Sequence, residues 1–213
     1  MHSSNKPYNI SNFSPYFTMS YDSKRRFSSY WHQINEIITI GPDKILEVGV
    51  GSGFVRMYLM NKKIDVITLD ILFELIPDIV GDVIRLPFKK NSFDAVSCCE
   101  VLEHMPYSMF IIALKELNRI SKRHILLSIP DSTPVYRINL ELPKLKPVKK
   151  LIPHPMPRSK YHNFDNEHFW EIGKKGYSLK KIKSDINLIG FEIVKTYRIF
   201  EYYYHRIFLL EKK

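Results

Sequence analysis

One loop restricts this chain more than any other feature. Gly49, Gly51 and Gly53 alternate with Val50 and Ser52, directly after the apolar run Lys44-Ile-Leu-Glu-Val48 and directly before a helical pattern over 54–62. Glycines at every second position let the backbone turn back tightly and bring its N–H groups against a ligand, while the following helix N-terminus favours negative charge. Strand, glycine turn and helix in that order begin a βα unit, the building block of a mostly parallel sheet. Gly41 and these three glycines are half of the eight in the chain.

The rest of the chain continues the alternation. The spacing predicts strands over 64–71, 78–82, 92–99 and 124–130, and a helix over 109–120 whose Phe110, Ala113, Leu114 and Leu117 share one face. Ser178 predicts the N-cap of an amphipathic helix ending on Gly190, and two closing strands follow over 191–212. A further helix is expected over 23–40, ahead of the first strand. Seven of the thirteen prolines fall between Pro130 and Pro157, where missing N–H donors forbid a long helix or a central strand, so 131–170 reads as a lid or insert. The whole chain of 213 residues is expected to be one domain, divided into an N-terminal helical cap (1–40), a core (41–130), the insert (131–170), and a helix with closing strands (171–213).

Composition excludes several classes. No apolar run approaches the ~18 residues that cross a bilayer, and no apolar signal segment stands at the start, so a cytoplasmic location is expected. Cys98 and Cys99 are adjacent and can neither staple distant segments nor supply a four-ligand zinc site. The net charge of +10 is uneven: residues 1–40 carry four Lys/Arg against two Asp/Glu, 41–130 eleven against eleven, and 131–213 seventeen against nine. The excess is concentrated in the proline-rich insert, around Arg137, Lys144, Lys146, Lys149 and Lys150.

The cofactor class follows from the spacing of the loop. A dinucleotide fingerprint places its third glycine three residues after the second, and Phe54 stands there instead. With Glu47-x-Gly49-x-Gly51-x-Gly53, Asp70 at the end of the second strand, Gly81-Asp82 before Leu86-Pro-Phe, and Glu100-Val-Leu-Glu103-His104 after the fourth strand, the sequence resembles the class I S-adenosylmethionine-dependent methyltransferases, in their type-11-like small-molecule group. The resemblance covers about residues 40–130 and implies a Rossmann-like α/β fold with a seven-stranded sheet and an antiparallel C-terminal hairpin. It implies S-adenosyl-L-methionine as cofactor, bound by Glu47, Gly49, Gly51, Gly53, Asp70, Ile71, Asp82, Val83, Leu86, Cys99 and Glu100. Asp70 would accept from the ribose hydroxyls, Asp82 from the adenine amino group, and Leu86 would give apolar cover. Tyr30 and Trp31 are expected to close over the sulfonium, since cations are attracted to aromatic faces.

Glu103 and His104 are the candidate catalytic residues, beside Glu100 and one short turn past the fourth strand. Some relatives with a Glu-x-x-Glu-His run hold a divalent metal there; no metal is assigned from this sequence. Carboxylates in a first helical turn are also favoured by the helix dipole without any chemistry. His168, Trp170 and Arg137 are the candidate acceptor-binding residues. The expected reaction is methyl transfer to an O or N atom of a small-molecule or glycan-type acceptor, anionic because of the basic insert. Three alternatives stay open: an RNA methyltransferase, a non-catalytic binding or scaffold protein on the same fold, and an insert that rests on an anionic membrane surface.

Overall fold

The computed structural model describes residues 15–155, 160–164 and 167–213. Helix α1 (Lys24–Ile40) starts where the Ser23 side chain accepts from the Arg26 N–H, and it stops at Gly41 in the left-handed region, φ 68°. Strand β1 (Lys44–Val48) leads through the glycine loop into α2 (Phe54–Asn61), and β2 (Asp65–Asp70) and the two-residue β3 (Ile79–Val80) follow. Strand β4 (Phe93–Cys99), helix α3 (Tyr107–Ile120) and β5 (Ser121–Pro130) complete the parallel part. After the insert come α4 (Leu179–Leu188), capped by the Ser178 side chain, and then β8 (Phe191–Arg198) and β9 (His205–Lys212).

Among the described residues the main sheet has seven strands in the order β3-β2-β1-β4-β5-β9-β8. β1 pairs in parallel with both β2 and β4, so the order reverses at β1 and opens a crevice beyond the carboxyl ends of the strands, where ligands bind in such sheets. β9 runs antiparallel between β5 and β8. The expected fold class is therefore the observed one.

The strands β1, β4 and β5 are buried on both faces, which is why they read as continuous apolar runs. One face packs on α3 and α4 through Phe110, Leu114, Leu117, Ile182 and Ile186. The other packs on α1 and α2 through Ile34, Ile37, Val55 and Leu59. Among its described residues the insert is not helical. It forms a separate antiparallel hairpin, β6 (Val135–Leu140) and β7 (Val148–Pro153), apart from the main sheet. A two-stranded ribbon tolerates the prolines because its outer N–H groups face solvent.

Candidate functional site

The crevice beyond β1 is a cavity of about 640 Å³. Its floor is the glycine loop. Gly49 has φ 84°, its N–H donates to the Leu69 carbonyl at 2.9 Å, and a Cβ there would lie 2.4 Å from the Val101 side chain. The loop is thus held against β2 on one side and the turn after β4 on the other.

Asp70 fixes the loop's geometry. Its Oδ2 accepts from the Val50 N–H at 2.8 Å and its Oδ1 from the Leu72 N–H at 2.9 Å, so both oxygens are oriented while each keeps acceptor capacity toward the cavity. Asp82 sits in a turn, its Oδ1 accepting from the Ile84 N–H at 3.1 Å, and Val83 lies beside it in the wall. Glu47, Gly49, Gly51, Asp70, Ile71, Asp82, Val83, Cys99, Glu100 and Tyr30 all line this one cavity. Burial pushes the Cys99 thiol up, so it is wall and not nucleophile.

The remainder of the wall is acidic and aromatic. Glu100 occupies the left-handed region, φ 54°, a conformation that disfavours a side chain and that here turns it out of the strand direction. Its carboxyl accepts from Ser128 Oγ, and its Oε2 lies 3.3 Å from His205 Nε2. His205 continues to Ser29 Oγ at 3.0 Å, and Ser29 accepts from Gln33 Nε2 at 3.2 Å. Burial, with Arg26 and His168 adding to it, depresses His205 to about 3, so the ring is neutral and this chain is a hydrogen-bond network, not an ion pair. Burial also pushes Glu100 up to about 7.

Glu103 is fully buried, and neither carboxyl oxygen has a hydrogen-bond partner. Burial first, and then the charge of Glu100, drive its pKa well above the usual carboxylate range. His104 Nδ1 is bonded to the Glu167 carbonyl at 2.9 Å, and the His104 and His168 rings meet edge-on at 5.0 Å. One ligand atom each from Glu103, His104 and His168 lies within 4.8 Å of the others. A carboxylate with two imidazoles is a donor set that borderline divalent cations accept, and the orphaned Glu103 oxygens fit it.

An orphaned buried carboxyl predicts its own mutant. In chelator-treated protein, Glu103→Leu is expected to leave the unfolding free energy unchanged or to raise it by about 1–3 kcal/mol, because no partner is lost and a desolvated polar group is removed. Urea denaturation checks this, and a large destabilisation would contradict the burial argument.

Glu47 makes a second such case. Its Oε2 is buried without a partner in the cavity wall, and burial, opposed by Arg56, raises its pKa to about 8. The native state then holds this proton more tightly than the unfolded chain. The stabilisation is full below the ordinary value of 4.5 and is lost as pH rises through about 8. Ligand-free protein should lose up to about 1.4 kcal/mol of stability per pH unit across that window from this group. Glu47→Gln should flatten the slope in urea titrations, and an unchanged slope would assign it elsewhere.

Five sequence expectations give way here. Trp31 is 60% exposed and stacks edge-on against His32, because it lies about 100° round α1 from Tyr30. Leu86 turns into the core, where its N–H donates to Glu116 and its carbonyl accepts from Arg119. Gly53 is the N-cap of α2 and does not reach the cavity wall. Trp170 is fully buried against Tyr107 and Phe110, at 4.9 and 5.0 Å, and plugs the core instead of the pocket. Arg137 lies on the hairpin over the Phe200 and Tyr203 rings. His168 alone of the proposed acceptor contacts lines the cavity.

The wall also contains residues that the sequence reading missed: Tyr16, Tyr21 and Arg26 ahead of the sheet, and Tyr202 and Tyr204 in the turn between β8 and β9. Arg26 lies 3.9 Å over the Tyr21 ring and is the one lysine or arginine among the described lining residues.

Residues 46–128 match the family model described as a methyltransferase domain. Over those residues the chain is similar to a methyltransferase domain. Around that domain the fold is similar to magnesium protoporphyrin IX methyltransferase from Synechocystis PCC 6803 with bound S-adenosylmethionine, with TM-score 0.60 and 15% identity over 89% of this chain and 80% of that one. It is also similar to 1,6-didemethyltoxoflavin-N1-methyltransferase from Burkholderia thailandensis, with TM-score 0.55 and 12% identity over 88% and 86%. In sequence, the domain is 38% identical over 84 residues to an uncharacterized protein of Methanocaldococcus jannaschii, a match covering 36% of each chain. This chain therefore spans about a third of the length of that curated relative. Among the described residues, no helix is long and apolar enough to cross a membrane.

Proposed function

We propose that the chain transfers a methyl group from S-adenosylmethionine to an O or N atom of a small-molecule or glycan-type acceptor. The observation that carries this reading is one cavity holding two kinds of wall. The glycine loop, Asp70 and Asp82 form one wall, which this reading gives to the nucleoside, and Glu100, Glu103, His104 and His168 form a polar wall facing the same space. The orphaned Glu47 oxygen suits an ammonium group, as the amino-acid part of the cofactor presents.

When bound, the cofactor supplies an electrophilic methyl group on a positively charged sulfur. The chain's contribution is alignment and exclusion of water, which can supply up to ~7–11 kcal/mol of such a barrier. Glu100, with a pKa of about 7, is matched to take a proton from an acceptor hydroxyl or ammonium near neutral pH. Glu103, whose burial makes it hold its proton more tightly than an ordinary carboxyl, adds a polar group to the acceptor side of the wall. His104, tethered by Glu167, and His168, held by Tyr204 Oη at 3.2 Å and Glu171 Oε1 at 3.4 Å, orient the acceptor.

The basic insert no longer argues for an anionic acceptor. Arg137, Lys144, Lys146, Lys149 and Lys150 are absent from the described wall, where Asp70, Asp82 and Glu167 stand against Arg26 and the carboxyls of Glu47, Glu100 and Glu103 have raised pKa values. A neutral or amine-bearing acceptor suits that balance better. The test is tritium transfer from methyl-labelled S-adenosylmethionine into separated small-molecule, glycan and RNA pools. Label in the first or second pool supports the reading. Label in RNA alone, or in none, overturns it.

A further inference from the structure

The hairpin β6–β7 has two unlike faces. Cross-strand partners share a face, so Arg137 with Leu151 and Asn139 with Lys149 point one way, and Tyr136 with Ile152, Ile138 with Lys150 and Leu140 with Val148 point the other. The first face is docked on the turn after β8. Arg137 and Lys149 lie over the Phe200 ring at 5.7 and 5.6 Å, and Lys149 Nζ bonds Glu201 at 2.8 Å. The second face is open: Tyr136, Ile138, Leu140, Val148 and Ile152 are all exposed.

The tip extends that open face. Leu142 and Leu145 are joined across a turn by the Leu145 N–H to the Leu142 carbonyl, with Lys144 in the left-handed region, and Leu145 is 65% exposed. Seven exposed apolar side chains thus stand on this open face and its tip, more than a soluble protein commonly leaves in water. Lys144, Lys146 and Lys150 rim it. Over 135–153 there are five basic residues against Glu141 alone.

We infer that this face docks on an anionic lipid bilayer, with Leu142 and Leu145 entering the headgroup boundary and the three lysines meeting the acidic headgroups. Charge decides between the occupants. A second copy of the chain would bring two such basic rims together. A nucleic acid would use the lysines but would leave the aliphatic side chains without a role, since bases stack on aromatic rings and Tyr136 is the one ring on this face. A bilayer uses both the leucines and the lysines.

The docked position bears on the pocket. The turn that holds the hairpin also contributes Tyr202 and Tyr204 to the cavity wall, so the hairpin and the cavity share one support. This inference goes beyond the methyl-transfer reading, because it concerns where the chain sits and not what it transfers.

Co-sedimentation of the full chain with phosphatidylcholine vesicles, with and without phosphatidylglycerol, tests it. The chain should pellet with the acidic vesicles, less so as salt is raised, and should stay in solution with the neutral ones. Leu142→Ser/Leu145→Ser should weaken partition by about tenfold or more at unchanged charge. Lys144→Gln/Lys146→Gln should weaken it by about fivefold per lysine. S-adenosylhomocysteine affinity, measured on the same variants without vesicles, should not change, which confirms their folding and separates this test from that of the cofactor site. Three results would each overturn the proposal: no partition onto acidic vesicles, partition indifferent to the leucines, or binding to single-stranded RNA that depends on the lysines and outcompetes the vesicles.

Discussion

Asp70→Ala should lower the affinity for S-adenosylhomocysteine by about a hundredfold or more. A carboxylate that accepts from two ribose hydroxyls makes two charge-assisted hydrogen bonds, each contributing about 1.5–3 kcal/mol. Because Asp70 also accepts from the Val50 and Leu72 N–H groups, its removal frees the glycine loop as well. A ligand lacking the 2′-hydroxyl separates these effects. Wild-type protein should bind the deoxy analogue more weakly than the parent, whereas Asp70→Ala should bind the two alike, the coupling of a direct contact. An equal loss for the analogue in both proteins would make Asp70 a loop-positioning residue only. Calorimetric titration at one salt concentration reads all four affinities.

Gly49→Ala should be the most damaging substitution in the loop. An added Cβ would sit 2.4 Å from Val101 Cγ2, and Val101 is β-branched and wedged into the same wall, so it cannot swing away as a long side chain would. Overpacking of about 1–3 kcal/mol adds to about 1–2 kcal/mol for a side chain at φ 84°. For a chain of this length each kcal/mol lowers Tm by about 2–4 °C, so a drop of about 5–15 °C is expected, together with loss of cofactor affinity. Gly53→Ala is the control. Its φ of 75° brings the backbone cost, but nothing lies within 4 Å of the new Cβ, and Gly53 caps α2 away from the cavity. It should lose stability modestly and keep its affinity. If the two variants behave alike, the close approach at Gly49 is not what holds the loop.

How much of this was legible in the sequence depends on range. The strand, glycine loop and α2 are contiguous, and Asp70 ends the neighbouring strand, so local pattern sufficed to bring these residues to one wall of the cavity. Glu100, Glu103 and His104 were legible as a short run, but their chemistry was not. The raised pKa of Glu103 follows from complete burial, and the strain at Glu100 from its position where the chain leaves β4. The wall supplied by Tyr202, Tyr204 and His205 depends on contacts such as Ser29 to His205, which join the two ends of the chain and leave no periodic signal.

The misplaced residues have local causes. Tyr30 and Trp31 are adjacent aromatics on one helix, and composition does not say which of them faces the crevice. His168 and Trp170 lie in an irregular segment where alternation carries no information, and Trp170 was drawn inward by the ring cluster of Tyr107, Phe110 and Tyr177. The described residues of the insert hold no helix, as its prolines predict. Those prolines could not show that the insert's lysines lie on a hairpin outside the cavity, which turns the charge from an acceptor contact into a surface property.

The central claim is that the crevice beyond β1 is an S-adenosylmethionine site, and calorimetric titration of the intact chain tests it most directly. S-adenosylhomocysteine should bind at one site per chain in the micromolar range, while NAD, which shares adenosine but needs a different glycine spacing, should give no saturable heat. A folded protein that binds NAD in preference, or gives no heat with S-adenosylhomocysteine, would contradict the account.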